Sequence, residues 1–246
     1  MTKTPTAPSE AKKPGGTKKP GGGRMSGGQA AVESLRAEGT RHVFGLIGSA
    51  TMEMFDALYD ADDINFIGIH DERTGTHMAD GYARASGRAG VVLAGQNGPG
   101  ATNLVTGLAQ AKAAFSPVVS IAGALSSEHQ YRDAFQEVDQ QALFTPVTKK
   151  TWTAPSAERV PELFREAFRL ALTPRMGPVQ LNLPRDVLAA QIDAPDAPVH
   201  QLSAQSRKRG GAVRKTASSF PHLCRCWSSI RLYTTVWTAL FRKTYC

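Results

Sequence analysis

Two kinds of apolar segment alternate along residues 25 to 191, and this alternation constrains the fold more than any other feature of the chain. Short runs rich in Val, Ile and Leu have the length of buried strands, and the longer segments between them carry apolar residues at helical spacing. Strands that alternate with helices in this way form a parallel sheet covered by helices on both faces. We therefore predict a doubly wound α/β domain with a mostly parallel sheet of six strands. The predicted strands are 42–47, 64–69, 90–95, 117–123, 147–153 and 178–183, and the predicted helices are 27–38, 50–60, 72–86, 99–114, 138–144 and 156–172.

The positive charge of the chain is concentrated at its two ends. Residues 1–24 carry six Lys or Arg against Glu10 in a segment rich in Thr, Pro and Gly, which has too little apolar surface to offset chain entropy. Residues 207–246 carry nine Lys or Arg, no acidic residue and all three cysteines. We predict that both ends are disordered basic tails, and that the second is non-native sequence; an ordinary amphipathic or nucleic-acid-binding tail is the alternative. Residues 192–206 are predicted to be a linker.

The composition excludes several classes of protein. No run of about 18 apolar residues is present, so we expect no transmembrane helix, and the Lys-rich amino terminus lacks the apolar segment of a secretory signal. The residues between the tails carry net negative charge, which argues against nucleic acid as a partner although the whole chain has a net charge of +8. The cysteines do not have the spacing of a zinc site or a disulfide framework, so no metal site is predicted. We expect a cytoplasmic chain without membrane contact.

Two predicted strands run directly into helices, and both junctions carry residues suited to ligand binding. Glu72 follows the strand 64–69, and the run Gly95-Gln96-Asn97-Gly98-Pro99-Gly100 follows the strand 90–95. Because the carboxyl ends of parallel strands meet at one edge of a sheet, where open α/β domains bind ligands, these junctions predict a site.

The glycine-rich run has the features of a turn that opens a helix. Pro99 suits the first helical position, Gly98 allows another backbone to approach closely, and Asn103 can reach back to a ligand from the next turn. The run has neither the G-x-G-x-x-G spacing nor the Lys-Ser/Thr pair of a phosphate-binding loop. A nucleotide site is therefore not predicted.

Four runs of the sequence resemble, in their order and spacing, the pyrimidine-binding domain of thiamine diphosphate enzymes. They are Glu72 to Arg84, Gly98 to Asn103, Phe135 to Gln140, and Gly177-Pro178-Val179 with Pro184-Arg185-Asp186. Within that superfamily the chain is similar to the acetolactate synthase group, and the runs Gly95–Gly100 and Gln136–Gln140 are more similar to the sulfoacetaldehyde acetyltransferases. The resemblance covers about residues 25 to 191.

The resemblance implies that thiamine diphosphate is the cofactor and that Glu72 activates it. In the family, a carboxyl group hydrogen-bonded to the pyrimidine ring nitrogen favours the imino form of the aminopyrimidine, whose exocyclic nitrogen then removes the C2 proton of the thiazolium. Judged from its position alone, Glu72 would merely complement a helix amino terminus, a role that fits Asp71 better. The implied activity is carboligation or lyase chemistry on a 2-keto acid or a related aldehyde.

The resemblance also implies roles for residues around Glu72. Those expected at the cofactor are Gly48, Ser49, Gly98, Pro99 and Asn103, and those expected on the substrate side are Gln96, Asn97, Phe135 and Gln136. Ser49 is equally compatible with a helix N-cap, and Phe135 with the anchor of a loop. Acetolactate synthases commonly have a small hydroxyl residue where this chain has Gln96-Asn97, so pyruvate is not implied as the obligate donor. His70 and His77 are expected to be surface or core residues.

The resemblance places the rest of the cofactor site in another domain. In the family, a carboxy-terminal domain with a Gly-Asp-Gly motif holds the diphosphate and its Mg²⁺, and this sequence contains no Gly-Asp-Gly. We expect that this chain binds only the pyrimidine half, that Mg²⁺ comes from a domain absent here, and that the isolated chain is inactive. We expect either a homodimer or a complex with a chain bearing the diphosphate domain, and that domain would complete the site; a truncated, non-catalytic remnant is the alternative. The sequence assigns neither donor nor acceptor, and it leaves FAD open.

Overall fold

The computed structural model of the protein describes residues 23–193. The predicted amino-terminal tail up to residue 22, the predicted linker from residue 194 and the predicted carboxy-terminal tail lie outside the described residues. Within them the strands are β1 (Arg24–Ser26), β2 (His42–Leu46), β3 (Asn65–Gly68), β4 (Gly90–Ala94), β5 (Val118–Ala124), β6 (Thr151–Thr153), β7 (Val179–Pro184) and β8 (Gln191–Asp193). The α-helices are α1 (Gly27–Ala37), α2 (Met52–Tyr59), α3 (Glu72–Ser86), α4 (Pro99–Ala113), α5 (Gln140–Phe144), α6 (Val160–Leu172) and α7 (Arg185–Ala189).

Six of these strands form one parallel sheet in the order β3-β2-β4-β5-β7-β6. Its central strands β4, β5 and β7 are buried along their whole length, as expected for strands covered on both faces. The other two strands, β1 and β8, form a separate antiparallel pair in which Met25 lies opposite Ile192. The six-stranded parallel sheet confirms the predicted α/β fold class.

Alternate residues of each strand pack into two different cores. Val91 and Leu93 of β4 face one core, which α1, α2 and α6 cover. Val92 and Ala94 face the other core, which α3, α4 and α5 cover. In α6, the buried side chains recur every three or four residues: Val160, Leu163, Phe164, Ala167, Phe168 and Ala171. Helices therefore lie on both faces of the sheet, each with its apolar side against one of the two cores.

The ends of the helices are determined by local sequence. The hydroxyl of Ser26 accepts a hydrogen bond from the backbone of Gln29, and the Gln29 side chain accepts one from the backbone of Ser26, so that a capping box begins α1. The carboxylate of Asp71 caps α3, and Gly87, with a φ of 67°, ends it in the left-handed conformation. These caps fix where α3 starts, and with it the position of Glu72.

The structure corrects several predicted element boundaries. The helices predicted at 50–60 and 156–172 begin with short 3₁₀ turns, and the strand predicted at 147–153 is reduced to Thr151–Thr153. The sequence pattern also missed β1, α7 and β8. Each of these is five residues or shorter, too short for a hydrophobic period to be recognised. Because β8 ends at Asp193, the regular structure extends two residues past the predicted domain boundary at 191. None of the helices in residues 23–193 has the length and hydrophobicity needed to span a membrane.

Candidate functional site

A crevice is expected at the carboxyl edge of the sheet between β2 and β4, because the chain reverses its direction across the sheet at that point. The connection from β2 leads outward to β3, and the connection from β4 leads the other way to β5. The helix after β2 packs on one face of the sheet, and the helix after β4 packs on the opposite face. Open α/β sheets bind their ligands at such a switch point. The turns that follow β2, β3 and β4 carry most of the predicted site residues.

The turns after β2 and β4 are in direct backbone contact. The backbone N–H of Ala50 donates to the carbonyl oxygen of Gly95 at 3.0 Å, and the N–H of Gly95 donates to the carbonyl oxygen of Leu46 at 2.9 Å. A Cβ atom at Gly48 would lie 2.5 Å from the carbonyl carbon of Gly95, so neither turn has room for a side chain at these two positions. The close approach holds the turn after β2 and the turn after β4 at a fixed separation.

Glu72 is the first residue of α3, and its side chain lies where this helix meets α4. Only 5% of the residue is exposed. Its Oε2 atom accepts a hydrogen bond of 3.0 Å from Nδ2 of Asn103, and its Oε1 atom faces Gly100, where an added Cβ would lie 3.1 Å away. A carboxylate can accept about four hydrogen bonds, and in residues 23–193 only Asn103 donates to this one. The group is therefore buried, oriented by an amide and able to bind a further donor.

A chain of side-chain hydrogen bonds connects the turn after β2, the turn after β4 and the loop that contains Gln136. Oε1 of Gln96 accepts from the backbone N–H and the hydroxyl of Ser49, at 3.2 and 3.0 Å. Nε2 of Gln96 donates to Oε1 of Gln136 at 2.5 Å, and Nδ2 of Asn97 donates to the backbone carbonyl of Gln136 at 3.0 Å. Gly98 has a φ of 58° and packs directly against Gln136, a conformation and a contact that a residue with a Cβ would not tolerate. Gln96 and Asn97 thus tie the turn after β4 to the turn after β2 and to the loop containing Gln136.

The structure brings together most of the predicted site residues but not all of them. Hydrogen bonds or close contacts link these residues in two groups: Glu72 and Asn103 form one, and Gly48, Ser49, Gln96, Asn97, Gly98 and Gln136 form the other. Pro99 is exposed at the first position of α4. Phe135 is 84% exposed and does not pack into this cluster. Ser49 lies inside a 3₁₀ turn and does not cap a helix, so the N-cap alternative for this residue is wrong.

The residue before Glu72 has a separate structural role. The Asp71 carboxylate accepts a hydrogen bond from the backbone N–H of Arg73 at 2.8 Å and forms an ion pair with the Arg73 guanidinium at 2.7 Å. The bond to the guanidinium has the larger effect, and the two bonds together lower the pKa of Asp71 from 3.8 to about 2. Asp71 thus caps the helix, as expected, and leaves Glu72 for other interactions.

Replacement of Arg73 by Gln is expected to raise the pKa of Asp71 towards 3.8, though not fully, because the backbone N–H of residue 73 still donates. A carboxyl group whose pKa is lowered by folding stabilises the protein above its unfolded-state value and loses this contribution as the pH falls towards 2. Carboxyl ¹³C NMR titration measures the change directly. Arg159→Gln, which removes an exposed ion pair with Glu162, is the control and should leave Asp71 unaffected. An unchanged Asp71 titration in the Arg73 variant would contradict the assignment.

The described residues contain no group of three or more His, Cys, Asp or Glu side chains able to hold a metal ion.

Nothing in the sequence indicated a role for Glu137, although this residue lies in the run from Phe135 to Gln140. In the structure its carboxylate accepts hydrogen bonds from three backbone N–H groups of the loop before it. Its position next to Gln136 was the only available signal, because contacts within an irregular loop leave no periodic pattern in the sequence.

The chain is similar in sequence to a known protein family and to several known proteins. Residues 25–143 match the family described as "Thiamine pyrophosphate enzyme, N-terminal TPP binding domain". A probable acetolactate synthase large subunit of Methanocaldococcus jannaschii is 45% identical over 171 residues, which are 70% of this chain and 29% of that protein. The acetolactate synthase isozyme 2 large subunit of Escherichia coli is 44% identical over 165 residues, which are 67% of this chain and 30% of that protein.

The matched region spans less than a third of the length of these relatives. The family match over residues 25–143 contains β2 to β5 and the residues Glu72, Gln96 and Asn103, so the match and the candidate site occupy the same part of the chain. Residues 25–143 of this protein belong to the family of thiamine pyrophosphate enzyme N-terminal domains.

Proposed function

We propose that this chain binds the aminopyrimidine half of thiamine diphosphate and supplies Glu72 as its activating carboxylate in an acetolactate synthase-like carboligase or lyase. The substrates would be 2-keto acids or related aldehydes. The observation that carries the proposal is the buried Glu72 carboxylate at the switch point of the sheet, oriented by Asn103 and able to bind one more donor. The family match of residues 25–143 supports the choice of cofactor.

The residues around Glu72 fit an aminopyrimidine ring. A protonated ring nitrogen is a hydrogen-bond donor, and Oε1 of Glu72 has no donor from residues 23–193. Gly100 leaves space beside this oxygen, because any side chain there would begin 3.1 Å from it. When bound, thiamine diphosphate supplies a thiazolium carbon acid whose conjugate base attacks carbonyl carbons. In our proposal Glu72 holds the proton at the ring nitrogen and Asn103 fixes the orientation of the carboxylate.

The amide network forms the substrate side in our proposal. Gln96 is held at both ends, by Ser49 and by Gln136, so its side chain has a defined orientation at the mouth of the crevice. Amides both donate and accept, which suits carboxylate, carbonyl and sulfonate oxygens alike. The presence of two amides at Gln96 and Asn97 therefore favours an oxygen-rich substrate without requiring pyruvate as the donor.

The diphosphate and its Mg²⁺ need residues beyond this domain. Hard divalent ions take oxygen ligands in sixfold geometry, and Gly-Asp-Gly is absent from the chain. We propose that the chain forms a homodimer or a complex with a chain bearing a diphosphate-binding domain, and that such a domain completes the site. A non-catalytic chain that binds the pyrimidine is the alternative.

Direct binding tests the proposal. The 246-residue chain, titrated with thiamine diphosphate and Mg²⁺ and followed by ligand-observed NMR, should bind with a dissociation constant on the order of 1 mM, because only half of the cofactor is held. The pyrimidine protons should show the strongest contact with the protein. Glu72→Ala should abolish the signal, as should an analogue that carries carbon in place of the ring nitrogen. Glu162→Ala, a change on the exposed face of α6, is the matched control. Equal binding by the Glu72→Ala and wild-type chains would refute the proposed site.

A further inference from the structure

The loop between β5 and α5 has an unusual backbone. Tyr131, Asp133 and Gln136 have φ values of 62°, 49° and 62°, in the left-handed region that residues other than glycine rarely adopt. Asp tolerates this region better than Tyr or Gln does. Three such residues within six positions mean that the loop is held in its shape by specific contacts and not by its own conformational preference.

The carboxylate of Glu137 supplies these contacts. Its Oε1 atom accepts a hydrogen bond of 2.6 Å from the backbone N–H of Tyr131. Its Oε2 atom accepts from the backbone N–H groups of Ala134 at 3.0 Å and Arg132 at 3.3 Å. The bond from Tyr131, followed by that from Ala134, lowers the pKa of Glu137, so the group is ionised at neutral pH. One carboxylate thus accepts hydrogen bonds from three backbone N–H groups of a loop that has no regular structure.

The same loop reaches the candidate site through the residue next to Glu137. Gln136 accepts hydrogen bonds from Gln96 through its side chain and from Asn97 through its backbone carbonyl. Its backbone also packs against Gly98, which has no Cβ. Gln136 is therefore held from two directions: the turn after β4 holds it from the site, and Glu137 holds the backbone that precedes it.

We propose that Glu137 is a positioning residue, which keeps the loop 131–136 folded so that Gln136 stays against Gln96 and Asn97. This inference rests on the proposed function, because it assumes that the crevice beside Gln136 binds the cofactor. It implies that Glu137 acts on ligand binding without touching the ligand. It also implies that Gln at this position, with one acceptor oxygen instead of two, retains only part of the effect.

Hydrogen exchange on the full 246-residue chain tests the positioning role without any ligand. In Glu137→Ala, the amides of Tyr131, Arg132 and Ala134 should exchange about tenfold faster or more, because each loses a charge-assisted hydrogen bond. In Glu137→Gln the rates should be intermediate. The amides of the central strand β4 should not change, which also shows that each variant is folded. Glu128→Ala, an exposed carboxylate close by whose only contact in the described residues is with His129, should match the wild type.

Binding of thiamine diphosphate to the same variants provides the second measurement. We expect affinity to fall about three- to tenfold in Glu137→Ala, to recover partly in Glu137→Gln and to stay unchanged in Glu128→Ala. Loop exchange within twofold of the wild type in Glu137→Ala would overturn the proposal, and so would faster exchange with unchanged affinity. If the wild-type chain does not bind the cofactor, the proposed function fails, whereas the exchange rates still decide whether Glu137 orders the loop. If Glu137→Ala does not fold, Glu137→Gln alone decides by the same two measurements.

Discussion

Replacement of Gly95 by alanine is expected to destabilise the protein by about 3 kcal/mol, at the upper end for an added methyl group in a packed interior. A Cβ at this position would overlap the backbone nitrogen of Gly48 and lie 2.5 Å from the carbonyl oxygen of Leu46. Both are backbone atoms, which cannot move aside by a rotamer change. The turns after β2 and β4 would have to separate, and the hydrogen bonds between Ser49 and Gln96 would be weakened as they do so.

Equilibrium unfolding in urea, followed by circular dichroism, measures this loss. Gly81→Ala is the matched control, since Gly81 is an exposed residue inside α3 and no atom lies within 4 Å of an added Cβ. Alanine there should stabilise the protein by about 0.5 to 1 kcal/mol, because it removes the entropy cost of a helical glycine. If Gly95→Ala and Gly81→Ala shift the unfolding midpoint by similar amounts, the close approach of the turns after β2 and β4 does not contribute to stability as we expect.

Replacement of Glu72 by Gln in a complete enzyme is expected to lower turnover by about 10²- to 10⁴-fold, the usual range for the loss of a general acid or base. Gln preserves the size of the side chain and can still accept from Asn103, but it cannot carry the proton between the protein and the pyrimidine nitrogen. The effect should therefore lie mainly in kcat, with a smaller change in KM. The 246-residue chain alone should show no turnover with added thiamine diphosphate and Mg²⁺.

A complete enzyme for this test can be made by joining residues 23–193, which include the paired strands β1 and β8, to the remaining domains of a similar acetolactate synthase large subunit. The identity of 45% over 171 residues makes this exchange reasonable. Glu162→Gln serves as the control, because Glu162 lies on the exposed face of α6 and pairs only with Arg159 in the described residues. A Glu72→Gln hybrid as active as its parent would disprove the catalytic assignment, and turnover by the purified short chain would show that a second domain is not needed.

The fold could be predicted from the sequence because its main signals are local. The strand β4 is a continuous apolar run, and α6 repeats apolar residues at helical spacing, so each was recognisable without its neighbours. The pairing of β1 with β8 was not predictable in this way. Its partners Arg24 and Asp193 are far apart in sequence, and each strand has three residues. A pairing that depends on distant backbone groups leaves no periodic pattern in either segment.

In the candidate site, too, some features could be predicted from the sequence and others could not. Glu72 and Asn103 could be assigned to one site because both follow strands of a parallel sheet, and the structure joins them by a hydrogen bond. The hydrogen bonds from Gln96 to Ser49 and Gln136 depend on side-chain rotamers, which the sequence does not specify. The exposure of Phe135 depends on a loop in left-handed conformations, for which its sequence gives no signal.

The pairing of β1 with β8 also has a mechanical consequence. Arg24 and Asp193 lie opposite each other, so the chain enters and leaves the domain at adjacent points. Tension applied to the chain on either side of the domain would act first on the Arg24–Asp193 end of this antiparallel pair. It would then break the hydrogen bonds of the pair one after another. The central parallel sheet would bear the load only after these three residue pairs had separated. Tension at this junction would therefore be taken up by the β1–β8 pair before it reached the turns that carry the candidate site.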